Sequence, residues 1–104
     1  MLDSLPFGVA CLGHGGRLLR ANMIFVSLLG YRVESLLGKS LKQTVLSDPT
    51  QFSNLMIQVR MGTPFDRVEM DMMHHDRTIR TLFVWGRPIP DTPDMVYQII
   101  TSLP

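Results

Sequence analysis

The stretch QFSNLMIQVRM-GTP-FDRVEMDMM-HHDR-TIRTLFVW, residues 51–85, contains the change of rhythm that decides the fold. Within residues 51–61 the apolar side chains Phe52, Leu55, Met56 and Val59 recur at spacings of three and four, which lines them along one side of a helix. Asp48 or Thr50 is placed to cap that helix, and Gly62 to stop it. Beyond Pro64 the period falls to two. Val68, Met70 and Met72 alternate with Glu69 and Asp71, the pattern of a strand with one buried face. His74-His75-Asp76-Arg77 reads as a turn. Ile79, Thr81, Phe83 and Trp85 then alternate with Arg80, Leu82 and Val84 on a second long strand.

Working outward toward the C-terminus, three prolines in residues 88–94 remove ladder donors and predict a loop. Residues 95–103 form a last strand rich in β-formers, Val96, Tyr97, Ile99 and Ile100. Toward the N-terminus, residues 7–12 and 17–21 read as two short strands joined by Gly13-His14-Gly15-Gly16. A phosphate loop is the competing reading of those glycines. It fails, because no Lys-Ser/Thr closes the run and no helical pattern begins directly after it. Asn22 and Gly30 bracket a short helix in which Ile24 and Leu28, with Phe25 and Leu29, share the core-facing side. Residues 33–37 and 41–46 add two more single turns.

The order is two strands, several short helices and three strands. It predicts an α+β fold, an antiparallel sheet with helices on one face. Leu82, Val84, Tyr97 and Ile99 are then candidates for an apolar outer face. Such a face favours dimerisation or the docking of a flanking helix.

Composition sets the limits. A chain of 104 residues has room for one core, and 45% hydrophobic residues suffice to build it. The charged fraction is only 18%, which points to a partner over part of the surface. Ten basic residues against nine acidic ones give a net charge of +1, without the concentrated basic footprint of direct nucleic-acid binding. Cys11 stands alone, so no intrachain disulfide forms, as suits a reducing compartment. The apolar runs are too short to span a bilayer, and Asp3 stands where a signal peptide would carry positive charge. The expected location is cytoplasmic, with no membrane partner.

Taken together, Leu5-Pro6-Phe7-Gly8-Val9, the hairpin ending in Arg17-Leu18-Leu19-Arg20-Ala21-Asn22, Leu29-Gly30-Tyr31, the run Glu34 to Leu41 and Arg87-Pro88-Ile89 resemble a PAS domain in order and spacing. Two turns depart from that family's Asp-Gly pattern: the first carries Gly13-His14-Gly15-Gly16, and the second has Arg77 at the usual glycine. The resemblance implies a five-stranded PAS-like sheet in a single sensory domain, residues 1–104, belonging to a longer signalling protein. Its implied role is signal sensing or homodimerisation that regulates an attached output domain (kinase, cyclase or DNA-binding) in signal transduction or transcription.

It also implies where a small ligand would sit, in the cleft between helices and sheet. Phe25, Leu29, Leu41, Phe52, Met56, Val68, Met70, Thr81, Phe83 and Trp85 are the candidate lining. The competing reading is a ligand-free interaction module in which the same side chains fill a core. Haem is disfavoured, because residues 51–61 hold no histidine and His14, His74 and His75 lie in or beside turns, where solvent reaches them. A flavin photosensor of this family would need its cysteine at a helix start, whereas Cys11 lies in the first strand. His74-His75 lacks a third metal ligand at useful spacing. No nucleophile, base and orienter come together, so no enzyme is expected.

Overall fold

The computed structural model describes residues 7–90 and 97–103. Five strands form one antiparallel sheet: β1 (Phe7–Leu12), β2 (Leu18–Ala21), β3 (Phe65–Met73), β4 (Ile79–Pro88) and β5 (Tyr97–Ser102), in spatial order β2-β1-β5-β4-β3. The first and last strands of the chain therefore lie side by side at the centre. Four helices fill the connection from β2 to β3: α1 (Met23–Leu29), α2 (Val33–Leu36), α3 (Leu41–Thr44) and α4 (Pro49–Arg60). This is the α+β arrangement that the rhythm predicts. Met95 and Val96, assigned to the last strand from sequence, lie outside the described residues. Pro88, expected in the loop, ends β4 opposite Tyr97 instead, and a strand terminus tolerates its missing donor.

Pairing register fixes which side chains share a face. Met70 opposes Leu82, and Val68 opposes Val84. Gly86 opposes Ile99, which in turn opposes Ala10. These residues face the helices. The sequence-based assignment of Leu82, Val84, Tyr97 and Ile99 to the outer face is therefore wrong: all four are buried beneath the helical layer. Two glycines let that layer come close. A Cβ on Gly8 would lie 2.6 Å from the backbone Cα of Phe25, so its absence sets the separation of α1 from β1. Gly86 leaves the space that the Phe65 ring occupies. Thr101, buried between them, donates its hydroxyl to the Gly8 carbonyl at 3.3 Å, so no polar atom is stranded there.

The helices follow their caps. Asn22 Oδ1 accepts the Phe25 N–H at 2.9 Å and opens α1, while Gly30, at φ 75°, closes it. The buried side of α1 is Phe25, Val26 and Leu29; Ile24 and Leu28, expected to face inward, are only half-buried. Asp48 Oδ1 accepts the Gln51 N–H at 3.1 Å, and Pro49 supplies a preset first turn of α4. Phe52, Met56 and Val59 are the buried stripe of α4, as their spacing predicts.

Candidate functional site

Two places gather the side chains on which a function could rest: the layer between helices and sheet, and the bare face of the sheet. In the layer, Phe25 and Leu29 from α1, Leu41 from α3 and Phe52 and Met56 from α4 meet Met70 and Val68 of β3 within one core. Phe25, Leu29 and Leu41 are 0% exposed, and Phe52 only 1%. An internal void large enough for water would expose part of any side chain on its wall. The first three therefore border no such void. Burial also pushes the Tyr97 phenol above its ordinary pKa, which keeps it uncharged beneath the helices.

Thr81, Phe83 and Trp85 do not belong to this layer. Asp71 opposes Thr81 and Glu69 opposes Phe83, so all three point away from the helices. Thr81 is exposed and donates its hydroxyl to Asp71 Oδ1 at 2.6 Å. Phe83 and Trp85 meet edge to face, with ring centroids 6.5 Å apart. Cross-strand rows extend the apolar surface sideways. Trp85 faces Ile100, which faces Val9, while Phe83 faces Ser102, which faces Phe7. The result is an open apolar groove of about 380 Å³ lined by Phe7, Val9, Trp85, Arg87 and Ile100. Charges rim it. The Arg67 guanidinium lies 4.7 Å from the centre of the Phe83 ring, and Arg87 approaches Asp66 at 3.7 Å.

Phe7, Val9 and Ile100 are contributors that the sequence reading missed. A usable signal was present. A hairpin closing over residues 74–78 pairs 73 with 79, hence 70 with 82 and 71 with 81, which puts Thr81 on the acidic side of β3. Cys11 is half-buried in β1, opposite Arg20 and Gln98, and thus also lies away from the helical layer.

Of the three histidines, His74 departs from the expected solvated turn. Its half-buried ring packs where a Cβ on Gly30 would project, and its Nδ1 accepts the Asp76 backbone N–H at 3.1 Å. His75 donates its backbone N–H to the Leu29 carbonyl at 2.9 Å, and its ring meets Tyr31 edge-on at 5.2 Å. The β3–β4 turn is thereby fastened to the end of α1. Among the described residues no group of three or more His, Cys, Asp or Glu side chains could hold a metal ion. None of the described helices is long and apolar enough to cross a membrane.

Comparison with solved structures places this architecture among known domains. A domain of a sensory box sensor histidine kinase/response regulator from Geobacter sulfurreducens superposes with a TM-score of 0.77 at 17% identity, covering 97% of this chain and 85% of that one. The PAS domain of the quorum-sensing receptor RpfR from Cronobacter turicensis, solved in complex with BDSF, gives 0.76 at 13% identity over 99% and 97% of the two chains. The LOV domain of a blue-light activated histidine kinase from Erythrobacter litoralis gives 0.73 at 18% identity, with 95% of each chain covered. At such identities the likeness is one of fold. Comparison with curated proteins returns no match. A family profile described as "PAS fold" matches residues 2–101. With the strand order, the helical layer and that match over almost the whole length in agreement, the chain belongs to the PAS fold family.

Proposed function

We propose that this domain is a signalling module that pairs with a second copy of itself through the outer face of the sheet and so controls an attached output domain. The observation that carries the reading is the contrast between closed and open apolar surface. The helical layer is packed to the point that Phe25, Leu29 and Leu41 touch no water, whereas Phe7, Val9, Trp85 and Ile100 line an open groove. An apolar groove with mixed charges at its rim is the surface that a two-fold self-complementary contact uses. Strands β1 and β5 carry most of it and also carry the two ends of the domain. A packing change there would reach a flanking segment without crossing the core. Two of the structurally similar domains come from histidine kinases, which suits this role, and no step of it needs a catalytic group.

Sedimentation of the purified chain over a range of concentrations tests the proposal. A monomer–dimer equilibrium is expected, abolished by Trp85→Glu while the circular dichroism spectrum stays unchanged. A chain that is monomeric at every concentration, or a Trp85→Glu variant that still dimerises, would overturn it.

A second reading has a specific observation in its favour. Met56, Met70 and Met72 lie in the helical layer, and methionine is the side chain most able to move aside for a guest. The relative solved with BDSF shows that this fold can hold a small molecule. In that reading Phe25, Leu29, Leu41, Phe52, Met56, Val68 and Met70 would open around a small apolar ligand. Mass spectrometry of an organic extract of the purified domain decides it: a stoichiometric small molecule supports the guest, and an empty extract leaves the dimer reading.

A further inference from the structure

Arginine occupies the left-handed backbone region twice, where a Cβ is disfavoured: Arg67 at φ 48° and Arg77 at φ 75°. Arg67 recovers the strain by laying its guanidinium over Phe83. Arg77 does not. Its side chain meets no carboxylate, carbonyl or ring among the described residues, although the carboxylate of its neighbour Asp76 is bound by Thr78 and Arg80. Strain held without an internal return suggests an external partner.

The surroundings of Arg77 say which chemistry that partner has. Arg77 lines a cleft of about 340 Å³ together with Lys39, His75, Ser35 and Tyr31, and no acidic residue lines it. His75 is held there by its backbone bond to Leu29 and by the Tyr31 ring, which leaves its side-chain nitrogens unpaired. Lys39 and Thr44 also line an adjoining cleft of about 420 Å³, which adds His14 and Arg17 and again no acid. In a chain of net charge +1, three unpaired cationic side chains thus converge along one edge. The first cleft opens at the edge of the helical layer, where Ser35, Leu36 and Thr44 line it, and neither cleft lies on the outer sheet face.

We propose that these joined clefts form a binding site for a small molecule carrying two phosphate groups, one held by Arg77 and His75, the other by Arg17, with Lys39 between them. A guanidinium fork and an ammonium point charge are the usual partners of phosphate oxygens, and a cleft lined by one sign of charge concentrates anions. Bound there, such a ligand would tie the β3–β4 turn to the segment between α2 and α3.

The test titrates the isotopically labelled chain with pyrophosphate, and separately with inorganic phosphate, at low ionic strength. Saturable amide shifts are expected at Lys39, Ser40, His75 and Arg77, with pyrophosphate binding at least tenfold tighter than phosphate. Lys39→Gln and Arg77→Gly should each weaken pyrophosphate at least tenfold. Arg77→Gly relieves the backbone and should resist urea at least as well as the parent, so lost binding could not be blamed on unfolding. Shifts that never saturate, that appear equally around Arg60, which lines neither cleft, or that survive both substitutions would overturn the site. Equal affinity for the two anions would overturn its two-phosphate form.

Discussion

Along β4, neighbouring side chains live in different surroundings. Leu82 and Val84 are wholly buried beneath the helices, while the larger Phe83 and Trp85 between and beside them keep part of their rings in water. Hydrophobicity does not separate the two sets, since the aromatics carry more apolar area than the aliphatics. The covering layer does: α1, α3 and α4 lie on one side of the sheet, and none of the four helices lies on the other. A contiguous apolar patch without cover marks an interaction surface more often than a lone exposed side chain does, and the outer face is therefore where a partner has most to gain.

The comparison breaks or sharpens most directly by truncation on the two faces of one strand. Leu82→Ala removes a fully buried side chain and should lower the unfolding free energy by about 3 kcal/mol. Trp85→Ala, at a concentration where the chain is monomeric, should cost about 1 kcal/mol, because its ring lies on the uncovered face and part of it already meets water. Urea unfolding of both variants measures the difference. Equal losses would mean that the outer face is part of the folding core and not a free surface.

Gly8 probes the covered side from the other direction. A methyl group there meets the backbone of α1 at Phe25 as well as the Thr101 hydroxyl, and backbone cannot swing aside as a side chain can. Gly8→Ala should cost about 2 kcal/mol and shift the amide resonances of α1 as a block. A variant with parental stability would show that α1 floats on the sheet and is not seated on it.

How much of this was legible beforehand depends on whether polar residues marked a phase. In α4, polar Gln51, Ser53, Asn54, Gln58 and Arg60 leave Ile57 as the one aliphatic side chain off the stripe, so Phe52, Met56 and Val59 could be placed at once. In α1 the run Met23-Ile24-Phe25-Val26-Ser27-Leu28-Leu29 offers a single polar position, and the inward side was misjudged by one residue. The same ambiguity governs β4, where Thr81, Phe83 and Trp85 form one apolar phase and Leu82 and Val84 the other. Alternation shows that a strand exists but not which way it faces. The hairpin register supplies the missing sign, because Glu69 and Asp71 cannot share a face with a core. The basic clefts had no local signature, since Lys39 and Arg77 are brought together only by the fold.

Asn22 links the two faces. Beyond capping α1, its Oδ1 accepts the Val9 N–H at 3.0 Å and its Nδ2 donates to the Phe7 carbonyl at 3.3 Å. One side chain thus ties the covered helix to the strand that carries Phe7 and Val9 on the open face. Asn22→Ala should cost about 1 kcal/mol for the cap and weaken self-association as well, because β1 loses its anchor. Asn22→Ser keeps a cap at the helix but not the reach to Phe7. It should therefore recover most of the stability and less of the dimer, a split that sedimentation and urea unfolding read separately.

The smallest effect lies at the turn where β3 passes into β4. Asp76 has its carboxyl held at about 2, below the ordinary 3.8, first by the Thr78 hydroxyl, then by the Thr78 backbone N–H, with weaker help from His74 and Arg80. Because the folded value is the lower one, the stability this carboxylate contributes is fully present above about 3.8. It is lost as pH falls through about 2. Thr78→Val deletes the strongest donor but keeps the backbone one, so the Asp76 pKa should rise toward its ordinary value without reaching it. Carbon-detected titration of the side-chain carboxyl follows that shift directly. Any stability gap between parent and variant should narrow between pH 4 and pH 2, whereas the gap opened by Leu82→Ala should persist through the same range, because no proton is exchanged in filling a cavity. A gap at Thr78 that ignores pH would assign the hydroxyl to shaping the turn and not to holding the charge.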